Sequence, residues 1–297
     1  MKYFLGIDGG GTKTVVAVSD ENGKILMKKT GKSINFYSVG MDTARKNLGA
    51  VIDEISNKLC AESFSGVFIG CSALDNEADA KLVSELTDGV INAEKIKIHS
   101  DVYIALKSVE GAECPCAAIC GTGSMAAALD KDGNTLIAGG WGHIIGDEGS
   151  AYAIALSALK QCCVMSDNGI KTPLLVCAEK HFGVSDFRKV IDIIYSPETT
   201  KDVIALFAEK VGALASDGDA DAVGIIKAQA ELFADTVLTL IGRADCDVVG
   251  LSGSVFKKNE LFTDTFSEKL KKHYPRISVK TADIPAEESA LKLAREL

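Results

Sequence analysis

The run Phe4-Leu5-Gly6-Ile7-Asp8-Gly9-Gly10-Gly11-Thr12-Lys13-Thr14 decides how the chain is read: an apolar stretch breaks into three consecutive glycines and leaves through hydroxyl-bearing residues. Consecutive glycines let backbone N–H groups converge on an anion, and Thr12, Lys13 and Thr14 add donors matched to phosphate oxygens. The spacing comes within one residue of the Walker phosphate loop, which requires a helix next. Thr14 instead leads into Val15-Val16-Ala17-Val18-Ser19, then Asp20-Glu21-Asn22-Gly23, then Lys24-Ile25-Leu26-Met27, a strand, a turn and a strand. The dinucleotide fingerprint fails the same test. The loop is therefore read as bent between the first two strands of a hairpin. Asp8 stands at the tip of the first strand, where a carboxylate can hold Mg²⁺ beside phosphates, directly or through water. A plain glycine-rich turn with a solvated aspartate is the alternative.

The same layout returns further along. Cys116-Ala117-Ala118-Ile119-Cys120 runs into Gly121-Thr122-Gly123-Ser124, a second apolar stretch to Leu129, the turn Asp130-Lys131-Asp132-Gly133-Asn134 and Thr135-Leu136-Ile137. Gly11 matches Gly121 and Gly23 matches Gly133 at one offset (121 − 11 = 110 and 133 − 23 = 110). A constant offset across strand, loop, strand and turn predicts two similarly folded halves, each carrying a loop able to grip a polyphosphate.

At 297 residues the chain is long enough for two domains. Its 47% hydrophobic and 25% charged residues are those of an ordinary globular protein. A net charge of −9 argues against a nucleic-acid surface and leaves backbone amides and a cation to hold any bound nucleotide. No apolar run approaches the ~20 residues needed to cross a bilayer, so no membrane partner and a cytoplasmic location are expected. Nine cysteines, mostly in apolar stretches, read as free thiols of a reducing compartment. Cys114, Cys116 and Cys120 cluster, but their spacing fits no standard zinc or ferredoxin pattern, so they are read as structural.

In chain order, a polar connection holding Asn35 leads to a helix over residues 41–60 with Ala44, Leu48, Val51, Ile52 and Ile55 on one face. Asn35 precedes that helix too early to cap it, which leaves its amide for a ligand or for an ordinary turn. A buried strand over 66–71 and a helix over 77–86 come next. Lys95-Ile96-Lys97-Ile98-His99-Ser100 then ends in Asp101, where a strand gives way to a helix at the carboxyl end of the sheet. A carboxylate there serves either as the acceptor of an attacking hydroxyl's proton or as a helix N-cap. Five glycines within residues 139–149 surround the only tryptophan, Trp141, and the acidic pair Asp147-Glu148. This density predicts backbone held close to a ligand, with Asp147 on sugar-like hydroxyls or as a second candidate base. His143 reads as a packed or surface residue, and the Asp-rich turn at 216–221 as solvated. Residues 151–243 are almost wholly helical in pattern. Ser252-Gly253-Ser254 forms a third small-residue loop after a strand, suited to a flat adenine or ribose. A final helix over 286–297 closes the chain.

Assembled, Asp8-Gly-Gly-Gly-Thr12, Ser100-Asp101, Gly121-Thr-Gly-Ser124, Gly139-Gly-Trp-Gly142 with Gly146-Asp-Glu-Gly-Ser150, and Ser252-Gly-Ser-Val255 resemble the BadF/BadG/BcrA/BcrD ATPase family, and within it the N-acetylglucosamine kinases. The resemblance implies an α/β protein of two ribonuclease-H-like, actin-like ATPase domains closing over ATP-Mg²⁺ in a central cleft. The domains would be 1–112, with helix 285–297 packing back on it, and 113–284, with a helical insertion at about 151–243. It implies Asp101 as the base for a sugar 6-hydroxyl. Asn35, Ser124, Gly142 and Asp147 would lie on the sugar, and Asp8 on Mg²⁺. Gly9, Gly10, Gly11, Thr12, Lys13, Thr14, Gly121, Thr122 and Gly123 would bind the phosphates of ATP, and Gly253 and Ser254 its adenosine. A homodimer is expected. Two departures stand out: Ala73-Leu74 where the family has a glycine pair, and Glu287-Glu288-Ser289-Ala290 where a glycine-alanine step is usual. Other members of the family are iron–sulfur ATPase activators of radical enzymes acting on acyl-CoA substrates. That is the rival function, but the two cysteines that group needs in glycine-rich contexts are not found.

Overall fold

Two glycine-interrupted hairpins seed two sheets of the same topology. The computed structural model describes residues 2–109, 114–130, 134–282 and 284–297. It divides into one unit of Met1–Gly111 with Ala282–Leu297 and a second of Ala112–Thr281. The expected boundary at 112 and the turn residues Lys131, Asp132 and Gly133 lie outside the described residues.

In the first unit, strands β1 (Tyr3–Gly9), β2 (Lys13–Asp20), β3 (Ile25–Lys32), β4 (Gly66–Cys71) and β5 (Ile96–Ser100) lie in the order β3-β2-β1-β4-β5. The hairpin strands are antiparallel, and β1-β4-β5 are parallel. Helices α1 (Phe36–Val39) and α2 (Met41–Leu59) connect β3 to β4, α3 (Ala80–Thr87) connects β4 to β5, and α4 (Asp101–Lys107) comes after β5. In the second unit, β6 (Pro115–Cys120), β7 (Ser124–Leu129) and β8 (Thr135–Gly139) form the repeated hairpins. Helices α5 (Ala151–Asp167), α6 (Pro173–Phe182), α7 (Val190–Ile194), α8 (Lys201–Ala205), α9 (Phe207–Ser216) and α10 (Ala220–Ala244) intervene before β9 (Val248–Ser252). Helices α11 (Ser254–Lys258) and α12 (Glu260–His273) precede β10 (Ser278–Thr281), and the sheet order β10-β9-β6-β7-β8 mirrors that of the first unit.

The repeat extends to the turns. Asp20 Oδ1 accepts from Lys24 N–H at 3.0 Å, and Asp130 Oδ1 accepts from Asn134 N–H at 2.8 Å. An aspartate whose side chain bonds the backbone ahead of it favours a chain reversal, so the same local device stands at the corresponding place in both hairpins.

Period and burial agree where segments are long. The five apolar residues of α2 read from the sequence are its buried set, and Ile226, Ala230, Phe233, Val237 and Leu240 form the buried stripe of α10. The last helix, α13 (Ala286–Glu296), belongs to the first unit. It lies directly on the sheet, since a Cβ on Gly6 would come within 2.1 Å of the Leu291 backbone nitrogen. The departure at 287–290 has a physical counterpart here. Ser289 is buried and donates to the Ile104 carbonyl at 2.9 Å, while Lys28 pairs with both Glu287 and Glu288.

Candidate active site

In the first unit the glycine loop ends β1 and opens β2, a strand standing where a Walker loop would need a helix. Gly10 N–H donates to the Lys13 carbonyl at 3.0 Å, which closes the loop and leaves Gly11, Thr12 and Lys13 exposed at its tip. A Cβ on Gly11 would meet open space. Thr14 departs from its expected role. It already belongs to β2, is 1% exposed, and its hydroxyl has no hydrogen-bond partner among the described residues. Thr12 and Lys13, not Thr14, present their side chains at the loop. Ser33, which no sequence motif singles out, donates to the Gly10 carbonyl at 2.9 Å and braces the loop from the end of β3.

Parallel pairing brings Asp8 and Asp101 to one edge of the first sheet, for Gly9 pairs with Cys71 and Cys71 with Ser100. At Asp101 the neighbouring Ser100 supplies the helix cap. Its hydroxyl accepts from Tyr103 N–H and caps α4, so Asp101 is the first residue of the helix and its carboxylate is not the cap. Burial raises the pKa of Asp101, and the N–H groups of Val102 and Asp101 itself pull it partly back. Asp8 is pushed up to about 6, first by burial, then by the negative charges of Asp101 and Glu287, with Lys13 opposing. Glu287 is itself paired with Lys28, which leaves Asp8 and Asp101 as neighbouring carboxylates with Lys13 as the opposing charge on Asp8.

Asn35 requires a correction. The four-residue helix α1 stands between it and α2, and Asn35 caps α1: Oδ1 accepts from Ser38 N–H at 3.1 Å while Nδ2 donates to Ser72 Oγ at 3.0 Å. Its amide is engaged and not free, although Ser72, which bonds the Gly9 carbonyl, ties it to the edge that carries Asp8. Ala73 is buried and Leu74 packs against the core of this unit.

In the second unit, Gly121 N–H donates to the Gly123 carbonyl at 2.9 Å, and the Gly121 and Thr122 carbonyls accept from Ala151 and Tyr152 N–H, which fastens the loop to the start of α5. Ser124 is nearly buried, its hydroxyl donating to the Glu148 carbonyl at 2.6 Å, so it holds the 146–150 loop. Asp147 is 4% exposed and takes a left-handed φ of 61°, rare outside glycine and a mark of functional loops when the surroundings enforce it. Its carboxylate lies where a Cβ on Gly123 would come within 2.7 Å. Gly142 has φ 83° and open space before it, between the exposed side chains of Trp141 and Ile144. His143 packs edge-on against Tyr152.

At Gly253, φ is 106° and the missing Cβ would sit 2.1 Å from the Cys120 carbonyl, so the close approach of the neighbouring strand is what requires glycine here. Ser254 does line a cavity of about 400 Å³, together with Thr122, Asp202, Glu209, Lys258 and Asn259, and a Lys258–Glu209 ion pair stands beside it. That size suits a nucleoside. Asp202 and Glu209 come from insertion helices without any glycine signal, which is why sequence reasoning misses them. Cys116 and Cys120 are buried in β6. Among the described residues no disulfide links the cysteines, and no three His, Cys, Asp or Glu side chains gather as a metal-binding group. No described helix is long and apolar enough to cross a membrane.

The sequence model of the BadF/BadG/BcrA/BcrD ATPase family matches residues 5–291, a span from β1 into α13. The chain belongs to this family. It is 30% identical over 286 residues to the N-acetylmuramic acid/N-acetylglucosamine kinase of Clostridium acetobutylicum, covering 94% of each chain. It is 28% identical over 297 residues to the N-acetyl-D-glucosamine kinase of Dictyostelium discoideum, covering 94% of this chain and 93% of that one. The fold is shared with a ROK family glucokinase of Streptomyces griseus crystallised with glucose and AMPPNP, at TM-score 0.64 and 18% identity over 99% of this chain and 100% of that one. Both glycine loops, Asp8, Asp101 and Asp147 fall inside the stretch the family model matches.

Proposed function

We propose that the protein is an ATP-dependent amino-sugar kinase that transfers the γ-phosphoryl of ATP to the 6-hydroxyl of N-acetylglucosamine or a related hexose such as glucosamine or N-acetylmuramic acid. The observation that carries this reading is the Asp8–Asp101 pair at one sheet edge, both with raised proton affinity, beside an open phosphate loop. The names of the relatives support the sugar class.

In this reading Asp101 takes the proton of the sugar hydroxyl as that oxygen attacks phosphorus. A carboxylate whose affinity for protons is raised by burial is the better base, and its place at the start of α4 fixes its direction. Phosphoryl transfer asks the protein mainly for alignment and charge neutralisation. Loop amides of Gly11, Thr12 and Thr122 and the Lys13 ammonium supply the second, and the cavity lined by Ser254 receives the nucleoside. The acid-rich setting of Asp8 fits a divalent cation: Asp8 would hold Mg²⁺, directly or through water. Bound magnesium supplies positive charge to the phosphates. Asp147, pinned by its loop, orients the sugar. A cytoplasmic homodimer completes the proposal, and light scattering on the purified chain checks its mass.

A coupled ADP-release assay with ATP and Mg²⁺ over N-acetylglucosamine, glucosamine, N-acetylmuramic acid and glucose tests the reading. ADP release dependent on at least one amino sugar is expected, with phosphate on O6 by NMR. Release that ignores all four sugars would refute it.

A further inference from the structure

Helix α10 sends one polar side chain toward the loop that carries Asp147. Gln229 Oε1 accepts from the Gly149 N–H at 2.9 Å, across 80 positions of sequence. Its Nε2 donates to Ser157 Oγ on α5 at 3.0 Å, which fixes the orientation of the amide and leaves the oxygen for the loop.

The surroundings show why that bond matters. Gly149 takes φ 79°, and a Cβ there would meet Phe233 at 2.5 Å and the Gln229 carbonyl at 2.9 Å, so the loop backbone lies directly on α10. Each neighbouring peptide group is fastened separately. The Glu148 carbonyl accepts from Ser124, the Gly149 carbonyl from the Cys120 thiol at 3.2 Å, and the Asp147 carbonyl from Ser150 N–H at 3.1 Å. Ser150 in turn caps α5. The Gly149 N–H is thus the loop's donor toward α10, two residues from an aspartate held at a left-handed φ. A strained backbone persists only where its surroundings over-determine it. Replacing the acceptor by an apolar group would leave a buried donor unmade and release that constraint.

We infer that Gln229 is a positioning residue for the sugar: by holding the Gly149 amide it sets the direction of the Asp147 carboxylate. The inference rests on the reading of Asp147 as a sugar ligand.

Two variants of the full chain test it. Gln229→Leu keeps the approximate volume and removes the acceptor, whereas Gln229→Glu keeps an oxygen for the Gly149 N–H and for the Ser157 hydroxyl. Gln229→Leu is expected to raise the sugar KM by about 10-fold or more, with kcat and the ATP KM within about 3-fold, in line with one lost hydrogen bond acting on ground-state binding. Hydrogen exchange of the 147–150 segment should quicken in the same variant. Gln229→Glu should restore both readouts to near wild type. An active wild type whose sugar KM and exchange are unmoved by Gln229→Leu overturns the role of Gln229 alone. Equal defects in both variants overturn it too, because they trace to packing and not to the acceptor. A wild type that phosphorylates none of the sugars overturns the kinase reading and the sugar role of Gln229 together.

Discussion

Replacing Asp8 by asparagine should make the ligand-free protein more stable while abolishing its activity. Asp8 is pushed up to about 6 from an ordinary 3.8, so its folded form favours the proton. For such a group the stabilising contribution is complete below the unfolded value and is lost as pH rises through about 6. At pH 7.5 the carboxylate is ionised in a setting that resists it, at a cost of about 2–3 kcal/mol when each tenfold in affinity is taken as 1.36 kcal/mol. Asparagine has the same shape and no charge. It relieves Asp101 and Glu287 of a like-charge neighbour, so the first unit should melt roughly 5–10 °C higher at pH 7.5. At pH 4 the wild-type carboxyl is already protonated in the fold, and the gain should shrink to under about 1 kcal/mol. Scanning fluorimetry at both pH values, with and without Mg²⁺-ATP, reads all of this. Mg²⁺-ATP should raise the wild-type melting temperature more than that of the variant, since only the wild type offers a carboxylate to the cation. A variant no more stable than wild type at pH 7.5, or equally stabilised at both pH values, would refute the account of Asp8 as a charge kept for a cation.

Three further substitutions separate the remaining roles. Asp101→Asn should retain sugar and ATP binding but lose at least ~100-fold in turnover by steady-state kinetics, as removal of a general base predicts; near-normal turnover would move the assignment to Asp147. Gly6→Ala places a Cβ 2.1 Å from the Leu291 nitrogen and 2.3 Å from the Glu287 carbonyl, both backbone atoms that cannot step aside. It should destabilise the first unit by ~3 kcal/mol or more and expose α13 to proteolysis, and an unaltered melting curve would show that α13 does not dock there. Gly11→Ala faces open space and should leave stability within about 0.5 kcal/mol, while the ATP KM rises. An unaltered ATP KM would remove this loop from the phosphate site.

How far the sequence reaches depends on the range of the interaction being read. The hairpins are legible because alternation and the Asp20 and Asp130 turns act within a few residues. The stripes of α2 and α10 are legible because a long period repeats its evidence. A four-residue helix repeats nothing, so α1 is invisible in the sequence, and the spacing alone leaves Asn35 free when it caps that helix. Thr14 differs from its expected place by one step of strand alternation, which turns a hydroxyl from the loop into the interior. Asp202, Glu209 and Gln229 lie on helices whose pattern reports only which face is buried, and the partners of Glu209 and Gln229 are tens of residues away. The glycines teach the most. A glycine in a sequence reports that something comes close, but not what. At Gly6 and Gly253 the close neighbour is the protein's own backbone, whereas Gly11 and Gly142 face open space. A Cβ at Gly6 or Gly253 must collide with the fold and one at Gly11 only with a ligand, whereas at Gly142 the left-handed φ of 83° strains any Cβ despite the open space. Alanine substitution therefore divides a glycine-rich family signature physically, into positions that cost stability and positions that cost binding, and the sites of chemistry are to be sought at the second kind.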